Sequence, residues 1–173
     1  MVYVITGGPG FGKSVLIEKL HELGYQVGGE IARNIIVQQL ETGGVLLPWK
    51  DVAGFEKRVM EERVEFLNSI DVQNVAFSDR GLPDQEAFSR YKGKEVSPQL
   101  KIALEANRYA KKVFLTPPWR QIYRNDQIRT ETFGEAERIH SYVVKAYLNN
   151  GYELIDLPLV TPDKRIEFIL KSL

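Results

Sequence analysis

The stretch VYVITGGPGFGKS, residues 2–14, decides the fold. A short run of β-branched and aromatic residues comes directly before the pattern Gly, four residues, Gly, Lys, Ser, and residues with helical spacing follow it. The glycines allow positive φ angles, so that several backbone N–H groups and the amino end of the next helix face inward. Such a nest of donors matches a polyphosphate.

The parts of this loop have predicted roles in binding a nucleoside triphosphate with Mg²⁺. Lys13 is predicted to reach the β and γ phosphates, and the Ser14 hydroxyl is predicted to hold Mg²⁺. The alternative is an ordinary glycine turn with a surface lysine, but the strand, the pattern and the helix agree on a nucleotide site. The predicted nucleotide contacts in the loop are Gly8, Gly10, Phe11, Gly12, Lys13, Ser14 and Val15.

The composition favours one globular domain without a nucleic-acid partner. Of the 173 residues, 43% are hydrophobic and 27% charged, and both Lys plus Arg and Asp plus Glu number 23. The net charge is therefore zero, and no whole-molecule field attracts nucleic acid or a membrane surface. Cysteine is absent, which excludes disulfides and thiolate metal sites. We expect a cytoplasmic protein without a membrane span, present as a monomer or homodimer.

Strands and helices alternate along the chain. Short apolar runs predict strands at 2–6, 25–27, 75–79, 112–115 and 152–155. Apolar residues with helical spacing predict helices at 13–23, 31–40, 52–70, 83–91 and 97–109, and a charged, helix-rich insert lies between the last two strands. Such alternation implies parallel strands joined by right-handed crossovers. The predicted fold class is α/β, a three-layer α/β/α sandwich in which 1–173 forms one domain.

Two polar segments follow predicted strands, at the edge where open parallel sheets place their ligands. Asp79 is predicted to orient water on Mg²⁺ or to accept a substrate proton, and Arg80 to fix an acceptor or a phosphate. The alternative is that Asp79 caps the next helix and Arg80 is solvated. Glu30 and Arg33 share a helix face and are predicted to hold the acceptor. Their alternative is a first-turn acid with its ion-pair partner.

Trp49 closes a loop after Pro48 and is the remaining predicted substrate contact. Together with Glu30, Arg33 and Arg80 it would line an acceptor pocket. The alternative is that Trp49 belongs to the core.

Arginines are concentrated in the insert, at Arg120, Arg124, Arg129 and Arg138. A guanidinium donates to phosphate oxygens in a fixed plane, and a mobile helical segment can bring it to a bound nucleotide. Arg120 and Arg124 are four residues apart and are predicted to lie on one helix face. The alternative is a solvated, salt-bridged helix without a ligand. His140 lacks a ligand-spaced partner and receives no predicted role.

With these residues in place, the chain resembles the ribosylnicotinamide-kinase-like branch of the P-loop NTPases, which is related to the kinase domain of NadR. The similarity runs nearly from end to end. It rests on the loop 6–14, Glu30-Ile31-Ala32-Arg33, Pro48-Trp49, the segment 79–84, Pro117-Pro118-Trp119 and the segment 124–133.

The resemblance implies strand order 2-3-1-4-5 in a five-stranded parallel sheet and a helical lid at about 117–150. It implies that Asp79 is the catalytic or metal-orienting acid, with Arg80 as its phosphate-positioning neighbour. It further implies that Arg120 and Arg124 touch the adenine face and the phosphates, and that Arg129 is a catalytic lid arginine.

These observations predict an ATP-binding, Mg²⁺-dependent phosphotransferase that moves the γ-phosphoryl group to a small nucleoside-like or other hydroxyl acceptor. The chain lacks the Asn-Lys-x-Asp signature of guanine recognition, which favours ATP over GTP. The alternative is a regulatory ATPase or GTPase switch without a small-molecule acceptor. Zero net charge and one short domain argue against a DNA-dependent or AAA-type motor.

Overall fold

The computed structural model describes residues 1–124 and 131–173. Strands and helices alternate through these ranges as predicted, with boundaries shifted by a few residues at most. The elements are β1 Val2–Gly7, α1 Lys13–Glu22, β2 Gln26–Gly28, α2 Ile31–Thr42, α3 Val52–Ser69, β3 Ala76–Asp79, α4 Leu82–Tyr91, α5 Pro98–Ala106, β4 Lys112–Thr116, α6 Phe133–Asn149, β5 Glu153–Asp156 and α7 Pro162–Lys171.

The five strands form one parallel sheet in the order β2-β3-β1-β4-β5. This confirms the predicted α/β class and the strand order. In the centre, β1 pairs with β3 through Ile5 and Asp79 and with β4 through Gly7 and Thr116. The carboxyl ends of these strands therefore meet at one edge, where the phosphate loop leaves β1.

Helices cover both faces of the sheet, because the alternating side chains of β1 are buried on both sides. Val4 packs with residues of α4, α5 and α6, while Ile5 packs with residues of α1 and α7, and neither has any exposed surface. A strand buried on both faces requires a helix layer on each. The predicted three-layer sandwich is confirmed.

A smaller apolar cluster lies between α2 and α3, beside the main core. Its buried members are Ile35, Ile36, Leu47, Phe55 and Val59. This cluster holds the two helices together, so that they form one wall of the cavity described below.

The segment between β4 and β5 differs from the prediction. Residues 117–124 contain no helix, because Pro117 and Pro118 interrupt the chain directly after β4. Arg120 and Arg124 therefore do not share a helix face. Arg129 falls within 125–130 and lies outside the described residues.

The helix of this segment, α6, is part of the core. It begins after the Thr132 cap, whose hydroxyl accepts from the Glu135 N–H, and it packs on α4 through Val143 and Tyr147. The predicted lid at 117–150 thus includes a helix whose apolar face is buried. A lid remains a proposal for the part of this range that precedes α6.

The last helix, α7, was not predicted. Its signals are ordinary: Pro162 stands in the first turn, and Ile166 and Ile169 are three residues apart and buried. No helix in the described parts of the chain combines the length and the apolar character that a membrane span requires.

Candidate nucleotide and acceptor site

The loop between β1 and α1 has the backbone geometry that its glycines predict. Gly7, Gly10 and Gly12 have positive φ angles of 138°, 78° and 82°. A Cβ added to Gly7 would lie 2.3 Å from the Thr116 hydroxyl oxygen and 2.5 Å from the Thr116 carbonyl oxygen. Only glycine fits there, because both the φ angle and the neighbouring strand exclude a side chain.

Lys13 begins α1 and its side chain is folded over the loop. The ammonium nitrogen donates to the Gly8 carbonyl oxygen at 2.7 Å and to the Gly7 carbonyl oxygen at 3.3 Å. The lysine is nearly fully buried, so its charge lies in a region from which most water is excluded. The ammonium group thus stands next to the loop amides, as phosphate binding requires.

Phe11 and Gly8, two of the predicted nucleotide contacts, interact with residues of α6. The Phe11 ring is fully buried and lies 5.9 Å from the Phe133 ring and 5.8 Å from the His140 ring, measured between centroids. The Gly8 N–H donates to His140 Nδ1 at 3.3 Å. Neither residue lines the cavity described below, so the nucleotide contacts of Gly8 and Phe11 remain predictions.

His140 therefore supports the phosphate loop from α6, a role that the sequence did not indicate. Burial, followed by the positive charge of Lys13, lowers the pKa of His140 to about 4. A neutral imidazole can accept the Gly8 hydrogen bond, which a doubly protonated ring cannot.

Ser14 and Glu30 are in contact at the amino ends of α1 and α2. The Ser14 hydroxyl donates to Glu30 Oε1, and the Arg33 Nε lies 3.6 Å from Glu30 Oε2. Ser14, Glu30 and Asp79 line one small cavity beside the loop. Glu30 thus faces the predicted metal position as well as the predicted acceptor.

Asp79 ends β3 with a buried carboxyl group. Its Oδ1 atom is fully buried and has no hydrogen-bond partner among the described residues. Burial raises the pKa of Asp79, although the Lys13 and Arg80 charges oppose that shift. Asp79 does not cap α4, because Gly81 occupies that position. The capping alternative for Asp79 is therefore wrong, and an orphaned acceptor remains for a ligand.

Arg80 is held by the first turn of α4. It has φ 67°, and its Nη1 donates to Asp84 Oδ1 at 2.7 Å, while its guanidinium lies over the Phe88 ring. Only 16% of the Arg80 side chain is exposed. The alternative of a solvated Arg80 is wrong. A left-handed non-glycine residue costs about 1 kcal/mol, and such strain is concentrated at functional sites.

Asp84 organises this edge of the sheet, and the sequence did not single it out for the site. The carboxylate is fully buried and accepts four hydrogen bonds, from the Thr6 hydroxyl, the Arg80 guanidinium, the Gly81 N–H and the Tyr147 hydroxyl. Burial alone would raise the pKa of Asp84, but Arg80, Arg63 and the donated bonds hold that pKa below its ordinary value.

A cavity of about 1040 Å³ runs from the loop to the α2 and α3 helices. Its lining includes residues from the phosphate loop, both charged strand-end segments and α3. The sequence-predicted residues that it brings together are Gly10, Gly12, Lys13, Ser14, Val15, Glu30, Arg33, Trp49, Asp79, Arg80 and Arg124. Trp49 is 59% exposed, so the core alternative for this residue is wrong.

Trp119 and Arg165 form the far end of the cavity, next to Gly12. The Arg165 guanidinium carbon lies 4.7 Å from the centre of the Trp119 ring, and Arg165 Nε donates to the Pro158 carbonyl. Arg165 Nη2 is buried without a partner among the described residues. Arg120, predicted to contact adenine, instead lies over the Phe133 ring and does not line the cavity.

The sequence matches a family model described as AAA domain over residues 2–165. No curated protein sequence matches the chain.

Solved structures with the same fold are kinases and a kinase-containing protein. Deoxyadenosine kinase from M. mycoides with bound dATP is 14% identical, with TM-score 0.65, 99% of this chain and 98% of that chain covered. Shikimate kinase from Aquifex aeolicus is 14% identical, with TM-score 0.58 and coverages of 99% and 95%. The NadR protein in complex with NR is 15% identical, with TM-score 0.69, and the chain spans 50% of it. At these identities the likeness shows the fold.

Proposed function

The chain belongs to the AAA domain family and has the fold of P-loop kinases, and we propose that it is a phosphotransferase that moves the γ-phosphoryl group of ATP to a small hydroxyl acceptor. The observation that carries this proposal is the orphaned Asp79 Oδ1. It lines the cavity that the phosphate loop shares with the acceptor walls. A nucleotide switch can also use an acid at this strand end to hold Mg²⁺, but it has no use for a cavity that extends from the loop to α2 and α3.

The side chains beside the loop fit a hard cation. Ser14, Glu30 and Asp79 supply oxygen atoms, and Mg²⁺ favours one or two carboxylates together with substrate phosphates. The contact of the Ser14 hydroxyl with the Glu30 carboxylate places two such oxygen atoms side by side. When bound, Mg²⁺ neutralises charge that develops on the phosphates.

The transfer step uses the residues at the loop and at the end of β3. The acceptor hydroxyl oxygen forms a bond to the γ-phosphorus as the bond from that phosphorus to the β,γ-bridging oxygen breaks, and ADP leaves with the electron pair. Asp79 Oδ1 takes the hydroxyl proton. Lys13 stabilises the charge on the transferred group, and the loop amides hold the β phosphate.

A raised pKa suits Asp79 for this role, because a general base works best when its pKa is near the pH of the reaction. The positive charges of Lys13 and Arg80 keep its pKa from rising further. Arg124 lines the cavity and is the described insert residue that can reach phosphates, whereas the role of Arg129 remains a prediction.

The nucleotide base is proposed to lie against Trp119 and Arg165. The ring and the guanidinium offer flat surfaces beside Gly12, and the buried Arg165 Nη2 offers a donor to a base nitrogen or oxygen. Such a donor suits adenine as well as guanine. ATP is the proposed nucleotide because the chain lacks the Asn-Lys-x-Asp signature of guanine recognition, and GTP is the alternative.

Product analysis tests the proposal. Purified protein is incubated with Mg²⁺, γ-labelled ATP and a panel containing deoxyadenosine, shikimate and ribosylnicotinamide, and labelled products are identified by mass spectrometry. Label on an organic acceptor, lost in Asp79→Asn by about 10²- to 10⁴-fold with Mg²⁺·ATP binding retained, supports the proposal. Label found only as free phosphate across a broad panel, with a loop rearrangement that follows the nucleotide state, would favour the switch.

A further inference from the structure

Arg63 is a buried cation in the wall of the cavity, and two of its nitrogen atoms have no hydrogen-bond partner among the described residues. It lies on α3, is 4% exposed, and lines the same cavity as Lys13 and Asp79. Its Nε and Nη1 atoms are fully buried and have no hydrogen-bond partner among the described residues. A buried guanidinium with free donors is costly, so the side chain needs a ligand group that is absent from the protein itself.

The nearby carboxylate of Asp84 does not satisfy Arg63. Asp84 accepts bonds from Thr6, Arg80, Gly81 and Tyr147, and a carboxylate has about four acceptor positions. Arg80 and Arg63 are thus two guanidinium groups beside one saturated carboxylate. Because the acceptor positions of that carboxylate are filled, the Arg63 N–H groups can donate to an anion that enters the cavity.

Gln85 marks the same part of the wall. Its side-chain nitrogen donates a 2.8 Å hydrogen bond to the Glu56 carbonyl oxygen, which fixes the orientation of the amide. The Gln85 Oε1 atom is buried and has no hydrogen-bond partner among the described residues. Glu56 lies two helical turns before Arg63, and helical side chains lean toward the amino end. Arg63 and Gln85 therefore border one subsite, with the guanidinium as cation and the amide oxygen as acceptor of a neutral donor.

Resting on the proposed function, we propose that Arg63 binds an anionic group of the acceptor, a carboxylate or a phosphate, while Gln85 accepts a hydrogen bond from a hydroxyl or N–H of the same molecule. The acceptor would then carry its charge on the α3 side of the cavity and its reacting hydroxyl next to Asp79. An uncharged nucleoside would leave the Arg63 charge unpaired, and such a site rejects it.

The experiment uses simple anions as probes on the nucleotide-bound protein. The loop is filled with Mg²⁺ and the non-hydrolysable analogue AMP-PNP, and thermal unfolding is followed during titration with acetate or inorganic phosphate at constant ionic strength. Acetamide is the neutral probe. The variants are Arg63→Met and, as matched control on the exposed side of α3, Arg58→Met, whose side chain pairs with Glu62.

We expect acetate or phosphate to raise the unfolding temperature of the wild type and of Arg58→Met, with the apparent affinity reduced roughly tenfold or more in Arg63→Met. The anion that raises the unfolding temperature more indicates whether the acceptor carries a carboxylate or a phosphate. Without ligand, Arg63→Met should unfold at a higher temperature than the wild type, whereas a purely structural arginine would lower it on removal.

Two results would overturn the inference: equal anion stabilisation of Arg63→Met and the wild type, or stabilisation by acetamide equal to that by the anions. Titration with AMP-PNP alone separates this inference from the proposed function. If the wild type binds AMP-PNP but the anions have no effect that depends on Arg63, only the inference about Arg63 is wrong. If the wild type does not bind AMP-PNP, the proposed function is wrong.

Discussion

The Arg80 guanidinium donates a 2.7 Å hydrogen bond to the carboxylate of Asp84, which has no exposed surface. The same carboxylate joins β1 through Thr6 and α6 through Tyr147. One side chain thus connects the strand before the phosphate loop, the residue after Asp79 and the core helix. The position of Arg80 in the cavity depends on this connection.

We expect Asp84→Asn to lower the free energy of unfolding by about 3–5 kcal/mol, because removal of one partner leaves a buried charge uncompensated. Urea denaturation at pH 7 measures this change. The control is Glu167→Gln, which breaks an exposed ion pair with Lys171 and should leave the midpoint unchanged. Equal midpoints for Asp84→Asn and the wild type would show that the buried network does not stabilise the fold.

Asp79→Asn is expected to stabilise the protein at neutral pH. The folded pKa of Asp79 is raised above its ordinary value of 3.8, so its contribution to stability is complete below that value and is lost as the pH rises through the folded pKa. At pH 7 the wild type has therefore lost stability that Asp79 contributes in acid, and the variant, which does not titrate there, has no such loss. Denaturation at pH 7 and pH 3.5 measures the difference between the two proteins, which should shrink at the lower pH. A less stable variant at pH 7 would contradict the raised pKa.

His140 is expected to make stability fall with acid. Its folded pKa of about 4 is below the ordinary 6.5, so between these values the unfolded chain binds a proton that the folded chain does not, and stability decreases as the pH falls. His140→Gln keeps an acceptor for the Gly8 N–H and removes the titration. The stability difference between wild type and variant, measured at pH 7, 6 and 5, should decrease toward pH 5. His21→Gln, at an exposed position, serves as the control. A difference independent of pH would contradict the burial of His140.

The chain contains two tryptophans, Trp49 and Trp119, and both line the cavity. In Trp49→Phe only Trp119 remains, and we expect Mg²⁺·ATP to quench its fluorescence, because the base lies against that ring. In Trp119→Phe only Trp49 remains, and nucleotide alone should change its emission much less. If ATP affected Trp49 and left Trp119 unaltered, the proposed position of the base would be incorrect.

The fold could be predicted from sequence because its signals are local and agree with one another. β1 is apolar on both faces, the glycines have the spacing of a phosphate loop, and α1 follows at once, so the fold class was predicted correctly. The sheet order, also correct, was implied by the family resemblance and not by these signals. The segment between β4 and β5 was harder to predict. It was predicted to be charged and helix-rich, with Arg120 and Arg124 on one helix face, but Pro117 and Pro118 prevent a helix directly after β4. The apolar face of α6 is buried in the core rather than in a lid.

The site was only partly predictable, because its remaining members act through contacts between residues far apart in the chain. Arg63 and Gln85 belong to no motif, and Asp84 lies in the 79–84 motif without a predicted role of its own. The importance of all three follows from burial and from the presence or absence of partners. Arg165 lies in the helix that was missed. His140 is 132 residues from Gly8 in sequence, and its spacing gives no indication of that contact.

Calorimetric titration of Mg²⁺·ATP into the wild type and Lys13→Ala tests the central claim most directly. The account predicts one bound nucleotide per wild-type chain and an affinity reduced by roughly 10- to 100-fold in Lys13→Ala, since the variant loses the charge-assisted contacts to the phosphates. Mg²⁺·GTP in the same experiment measures the base preference. Absence of binding by either triphosphate to folded wild-type protein, or equal affinity of Lys13→Ala and the wild type, would contradict the account.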